Sequence, residues 1–380
     1  MMKKLVLLFF LIGIVFHKIM GKISLIIGLV LLFSVVCKAQ EGYRISGKAS
    51  GMADSTLLLI ASEGEKPDTL GSTVVKNGVF VFSGKVERPM AAYITPIGGN
   101  GIIPLILENA TFMVNVSNAG AMIQGGKQQE LLTRFTRISQ SFMSEQAKVA
   151  AEARQPGADV AALQARVDQA YEASVNATIE LIKAHPDEYA TAHVIALGIS
   201  GETEEGLRSK YELLGEAARA TIPGKRIAAA LEQYGKLAVG EVAPNFTLEK
   251  PDGNTFSLHD LPAKLKLVYF WLSTNPVCRE DNTDLVKLYL QYRPLGLEIV
   301  SISLDENRGE WRNAVGLDGM VWTNGSDLQG FASPVARLYM VHDVPMTYLV
   351  DGENRIVAKG LREDALRDTV AKLLKKSKKK

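Results

Sequence analysis

The stretch LKLVYFWLSTNPVCRE, Leu265 to Glu280, decides the fold. Its first eight residues are apolar but for Lys266 and show no alternation, which suits a strand buried on both faces of a sheet. Just beyond the strand, Asn275 and Pro276 supply a favoured N-cap and a favoured first helical residue, so a helix opens at Pro276 and runs to Tyr292. Downstream come a second buried strand in LEIVSISLD, helices near Glu310 to Val315 and Pro334 to Met340, then MTYLVD and RIVAKG as two strands across Asp351-Gly352. Glu363 to Leu374 is a terminal amphipathic helix, and upstream FTLEKPDGNTFSL forms a hairpin through Asp252-Gly253.

The rest of the chain is read against that core. It has 380 residues, a formal charge of +2, and two cysteines, Cys37 and Cys278. At roughly 100–200 residues per domain this length holds two or three domains. Two cysteines and five histidines cannot build a disulfide scaffold or a zinc ribbon, and no histidine has a second ligand at metal spacing. His185 and His193 read as helix residues, and His259 and His342 as solvated or capping groups near element ends. Near-zero charge removes the basic field that nucleic-acid binding needs.

Residues 1–39 are a leader with two apolar stretches, Leu5 to Phe16 and Ile23 to Val36, each shorter than the ~20 residues of a membrane-spanning helix. The second has a basic start at Lys22, an apolar core, and Cys37-Lys38-Ala39 as a small-x-small cleavage site before Gln40: a secretory signal whose true start is Met20. The alternatives are a double-spanning anchor and a lipoprotein acylated at Cys37, the latter disfavoured by Val36. The leader holds five lysines and no acid, so a chain starting at Gln40 carries −3 and keeps Cys278 as its sole thiol. Lys375, Lys376 and Lys378 to Lys380 form a basic tail, read as solvated, with anionic lipid or polymer as the contact it could make.

Residues 40–124 read as a β-sandwich or small barrel. Short alternating runs are broken by turn residues, and in STVVKNGVFVFSGKV the Asn77-Gly78 pair signals a hairpin with Phe80 and Phe82 on one face. AAYITPIG, GIIPLILEN and TFMVNVS continue the series. Residues 125–237 form a helical region. Leu131, Phe135, Ile138 and Phe142 recur at helical spacing, as do Leu163, Val167, Ala170, Ser174, Ala177, Leu181 and Ala184. The expected result is a helical hairpin around Gln155-Pro156-Gly157 with a close seam of small residues, followed by helical patterns at 187–198, 203–218 and 225–236.

Residues 238–380 follow the thioredoxin order, a βαβα half and then ββα. Four segments make the resemblance specific: GEVAPNFTL at 240–248, VYFWLSTNPVCRE at 268–280, EIVSISLD at 298–305 and VPMTYLVDGENRIVAKG at 344–360. They resemble the envelope thioredoxin-like proteins of the TlpA and ResA type, related to the AhpC/TSA redoxin family. Residues 41 to about 123 are similar to a sandwich domain of unassigned function that often precedes such domains. The overall fold class is α/β: a C-terminal thioredoxin fold preceded by an all-β sandwich and an α-helical middle.

The resemblance implies a Cys-x-x-Cys motif opening the helix after the first central strand. There the helix N-terminus stabilises an attacking thiolate, and the second cysteine resolves the mixed disulfide. In this chain the four positions read Asn275, Pro276, Val277 and Cys278, so only the resolving thiol stands in place. Val344-Pro345 matches the pair that carries a cis-proline facing the motif. Trp271 fits the family's aromatic position beside the site and fits a core position equally. Where the family often has a proline stands Thr283, and Asp281 displaces or replaces the usual acid. A peroxidase needs Thr three residues before its cysteine, but Asn275 stands there and Thr274 is one place off.

The expected function is that of a secreted protein of the thiol-disulfide oxidoreductase family without dithiol exchange. It would keep a groove around Asn275, Pro276, Cys278 and Pro345 for an extended peptide or envelope partner, and use no metal or cofactor. Its place is the periplasm or cell envelope, with membrane contact through the leader or a lipid anchor. Two alternatives stand beside it: an oxidoreductase working through Cys278 alone, and a structural or surface-binding protein acting through its sandwich.

Overall fold

The computed structural model describes residues 42–49, 55–63, 67–98, 101–117 and 120–376. The leader, Cys37 and the last four residues lie outside them. The described chain divides into two compact units that meet at residues 137 and 138.

The N-terminal unit is a sandwich of two four-stranded sheets whose central strands bury alternate residues. One sheet has the order β4 (Val79–Gly84), β1 (Tyr43–Ala49), β7 (Thr111–Ser117), β8 (Gly120–Gln124). The other runs β3 (Asp68–Val74), β2 (Thr56–Ala61), β5 (Met90–Pro96), β6 (Ile103–Leu107). Between them lie Ile45, Leu57, Leu59, Phe80, Phe82, Ile94, Leu105, Phe112 and Val114, all nearly inaccessible.

The Asn77-Gly78 turn forms with both residues at positive φ, and Lys76 and Val79 exchange backbone hydrogen bonds across it. The expected hairpin ends there, however. β3 pairs with β2 and β4 with β1, so the turn is a corner between the two sheets. Val75, wholly buried, marks where the chain crosses.

The first long helix, α1 (Lys127–Glu152), starts against this sandwich, with Leu131 and Phe135 buried and Gln129 Oε1 accepting from the Ile106 N–H at 2.8 Å. The second, α2 (Val160–Ala184), is capped by Asp159, whose carboxylate accepts from Ala162 N–H. The close small-residue seam expected between them does not form. Ala177 and Ala184 are exposed, and the helices meet instead through Arg166, which bridges Glu145 at 2.6 Å and Glu152 at 2.5 Å, and through the edge-on pair Phe142 and Tyr171. Alanine methyls give little area per contact, so longer side chains set the spacing.

Four shorter helices follow: α3 (Tyr189–Leu197), α4 (Glu204–Glu212), α5 (Glu216–Ala220) and α6 (Ile222–Lys236). The pattern at 203–218 is thus two helices, broken at Leu213 to Gly215. A methyl on Gly215 would run into the Asp187 carboxylate, so this break is held close to the start of α3.

The C-terminal sheet has five strands. β11 (Leu265–Trp271) is central, parallel to β12 (Leu297–Ser303), and β12 is parallel to β13 (Thr323–Gly325). On its other side β14 (Met346–Asp351) and β15 (Ile356–Lys359) are antiparallel. The small hairpin β9 (Thr247–Glu249) and β10 (Thr255–Ser257) forms its own two-stranded sheet, bridged through Glu249 to Ser326 at the end of β13. All seven residues of β11 are buried, as an unalternating run requires. Around the sheet lie α7 (Pro276–Tyr292), α8 (Arg308–Leu317), α9 (Pro334–Leu338) and α10 (Glu363–Lys376), in the thioredoxin order. The helical region docks on this domain: Gln233 donates to the Leu338 carbonyl at 2.6 Å, and Lys359 on β15 pairs with Glu204 at 3.2 Å.

Candidate functional site at the start of helix α7

The carboxyl ends of β11 and β12 and the entry to β14 share one rim of the sheet, because Trp271 pairs with Ser303 and Phe270 with Met346. Ligands of α/β sheets collect at such a rim. Here it carries the loop from Leu272 to Asn275, the turn after β12, and the Val344-Pro345 bond, which is cis.

Asn275 joins two of these pieces. Its backbone is extended, and its Oδ1 accepts from the N–H groups of Val277 at 2.9 Å and Cys278 at 3.2 Å. Two of the helix's unpaired donors are thereby satisfied. Its Nδ2 donates to the Val344 carbonyl at 3.2 Å, tying the helix start to the cis-proline loop.

Cys278 faces inward and is wholly buried. Burial, the largest influence, pushes its thiol up in pKa, while the Leu272 backbone and the Tyr269 hydroxyl pull weakly the other way. Tyr269, also buried, donates to the Cys278 carbonyl at 3.2 Å. One turn further along α7, Asp281 is held by Arg362 through contacts of 2.9 and 3.1 Å, and this pair lines a narrow cleft between α7 and α10. Its carboxylate therefore serves an ion pair beside the thiol. Trp271 and Val344 are buried as well, so they form the floor beneath the rim. Thr274, Pro276 and Val277 are exposed, and Asn275 and Pro345 are partly so.

A buried polar cluster that the sequence reading did not single out fixes the motif loop. The Asp305 carboxylate accepts from the Ser273 N–H at 3.1 Å, the Ser273 hydroxyl at 2.7 Å and the Ser303 hydroxyl at 2.6 Å. Arg279 donates to the Ser273 carbonyl and makes a two-pronged pair with Asp318, both contacts at 2.6 Å. Asn282 joins Asp318 at 2.7 Å. The available signal was the place of Ser273 and Asp305: each is the first polar residue beyond the core of an apolar strand, where a buried polar group needs a partner.

His342 and His259 take separate local roles. His342 lies beside the cis-proline loop with a buried, unpartnered Nε2 and a depressed pKa caused by desolvation. His259 Nε2 contacts the Ala243 carbonyl at 2.7 Å. Among the described residues no group of His, Cys, Asp or Glu is placed to hold a metal ion, and no helix is long and apolar enough to cross a membrane.

A five-stranded mixed sheet with a cis-proline facing a helix start that holds an inward cysteine defines a thioredoxin-fold domain. Residues 239–359 match the AhpC/TSA family, and residues 43–132 match a domain of unknown function, DUF4369. The thiol-disulfide oxidoreductase ResA of Bacillus thuringiensis (strain Al Hakam) is 26% identical over 122 residues, covering 32% of this chain and 69% of the relative. The chloroplastic peroxiredoxin Q of Triticum aestivum is 34% identical over 90 residues, or 23% of this chain and 42% of that protein. The thioredoxin domain of a thiol-disulfide oxidoreductase from Bacteroides vulgatus has 34% sequence identity and a TM-score of 0.35, covering 36% of this chain and 98% of that one. The C-terminal region is an AhpC/TSA redoxin domain of the thiol-disulfide oxidoreductase family, behind a DUF4369 domain.

Proposed function

We propose that this protein is an extracytoplasmic member of the thiol-disulfide oxidoreductase family that has given up dithiol exchange and keeps the rim of its thioredoxin domain for binding. The observation that carries this reading is Asn275. At the position of the attacking cysteine it spends its whole side chain on structure, with Oδ1 on two helix N–H groups and Nδ2 on the Val344 carbonyl. The remaining thiol is inaccessible and, with its pKa raised, stays protonated at neutral pH. Thr274, Pro276, Val277 and the exposed part of Pro345 are left as a surface for an extended peptide or envelope partner. The leader supports export, and mass spectrometry of the mature N-terminus reports cleavage before Gln40 or acylation at Cys37.

Insulin reduction tests the central claim. The mature chain and its Cys278→Ser variant should both show only background turnover, and Cys278-dependent turnover would overturn the reading. Asn275→Cys tests the motif placement independently: mild oxidation should close a 275–278 disulfide, and its failure to form would mean the two positions are not a motif pair.

A further inference from the structure

The outer face of the sheet β4-β1-β7-β8 carries exposed apolar and basic side chains. Ile45, Phe80, Phe82, Phe112 and Val114 point into the core, so the alternate residues of the same strands point out. Four of them are large and apolar: Val79 is 48% exposed, Val81 36%, Met113 54% and Met122 61%. Register sets them as two apolar pairs, Val79 with Val81 on β4 and Met113 diagonal to Met122 across β7 and β8, on either side of Ser46 and Lys48 on β1. Ser46 on β1 lies opposite both Val81 and Met113, while Lys48 lies opposite Val79 and Asn115, and Asn115 opposite Met122. The set thus spans the sheet from β4 to β8, with Arg44 and Lys48 exposed on β1 between the pairs. None of the four strands contains a carboxylate. Solvated sheet faces are ordinarily polar, and large apolar groups flanking one sign of charge on such a face mark an interaction surface.

We propose that this face seats the N-terminal unit on an anionic bilayer, Arg44 and Lys48 meeting lipid phosphates and the four apolar side chains entering the headgroup boundary. Charge favours this occupant, since two cations without an acid complement an anionic surface at about five-fold in binding per cation. Position favours it too. β1 begins at Tyr43, seven residues after the apolar stretch that ends at Val36, a span of at most ~25 Å when extended. On the export proposed above, β1 emerges at the membrane surface before the leader is cleaved, and a mixed apolar and cationic face can bind there without spanning.

The test uses the chain from Gln40 to Lys380 and sedimentation with vesicles. It should bind equimolar phosphatidylglycerol and phosphatidylcholine, weaken as salt rises, and ignore pure phosphatidylcholine. Arg44→Glu with Lys48→Glu should weaken binding at least ten-fold, and Met113→Ser with Met122→Ser several-fold; all four positions are exposed, and circular dichroism checks that the variants fold. Cys278 is buried, so Met122→Cys can carry a single environment-sensitive dye, which should shift to the blue on anionic vesicles while the same dye at Gln169→Cys on α2 does not. No vesicle binding overturns the proposal, including the case where an acidic protein binds instead. Binding untouched by the charge reversals, as the lysine tail would give, also overturns it, as does an equal dye shift at both positions.

Discussion

Asn275 does two jobs with one amide, and each can be removed separately. Asn275→Ala deletes the cap and the link to Val344, whereas Asn275→Asp keeps a capping oxygen at the helix start but cannot donate to the carbonyl. The alanine variant should lose about 1–2 kcal/mol in urea unfolding, near the upper range for a cap because three hydrogen bonds leave together. The aspartate variant should lose less, since a carboxylate at a helix N-terminus is favourable, yet hydrogen exchange of α7's first turn should stay protected while the loop through Val344 exchanges faster. Exchange of the Val344 loop in the aspartate variant unchanged from the parent would show that the amide does not couple the two segments. Gly47 is a second residue whose identity the packing dictates: a methyl there would overlap the Phe80 ring on the paired strand. Gly47→Ala should therefore cost about 1–3 kcal/mol, read as a lower denaturation midpoint, and an unchanged midpoint would mean the ring moves freely.

At the scale of elements, the loop between β11 and α7 depends on a carboxylate from another strand. Asp305→Ala leaves the Ser273 N–H, the Ser273 hydroxyl and the Ser303 hydroxyl without their buried acceptor. Stability should fall by about 3 kcal/mol, with the Ser273 amide losing protection first; retained protection there would show the loop is held elsewhere. This cluster also marks the limit of what the sequence discloses. β11 and α7 were legible because strand burial and capping are local properties, written in Leu265 to Trp271 and in Asn275-Pro276. The pairing of Ser273 with Asp305 is a contact between residues far apart in the chain, and nothing in either residue's neighbourhood names the other. The Asn77-Gly78 corner failed for the same reason: turn chemistry is local, but which strands pair afterwards depends on both sheets. β13 was missed because Thr323 to Gly325 is too short and polar to show a strand pattern. The α1 and α2 pattern gave two helices correctly, while their spacing follows from Arg166 and the Phe142 and Tyr171 rings.

At the scale of the whole C-terminal domain, burial has gathered groups that ionise at high pH. The Cys278 thiol, ordinarily near 9.0, is raised by desolvation, as are the phenols of Tyr269, Tyr339 and Tyr348, ordinarily near 10.0, and Tyr289 is pushed up to about 12. For an acid of raised pKa the folded state keeps its proton where the unfolded state has lost it. Stability is therefore fully present below about pH 9 and is lost as pH climbs from the ordinary values toward the raised ones, by at most about 1.4 kcal/mol per group for each pH unit. The melting temperature should be flat from pH 7 to about 9 and then fall steeply. Absorbance of tyrosinate should rise in two steps, exposed phenols first and the buried ones together with loss of ellipticity. Cys278→Ser should move the onset upward, because the first group to ionise in the unfolded chain is gone, and Tyr269→Phe should make the later fall shallower. A melting temperature that held constant to pH 11, or buried tyrosines that ionised before unfolding, would mean that these groups meet solvent in the native state. The thiol beside Tyr269 would then be accessible too, and the case for an inert Cys278 would fail with it.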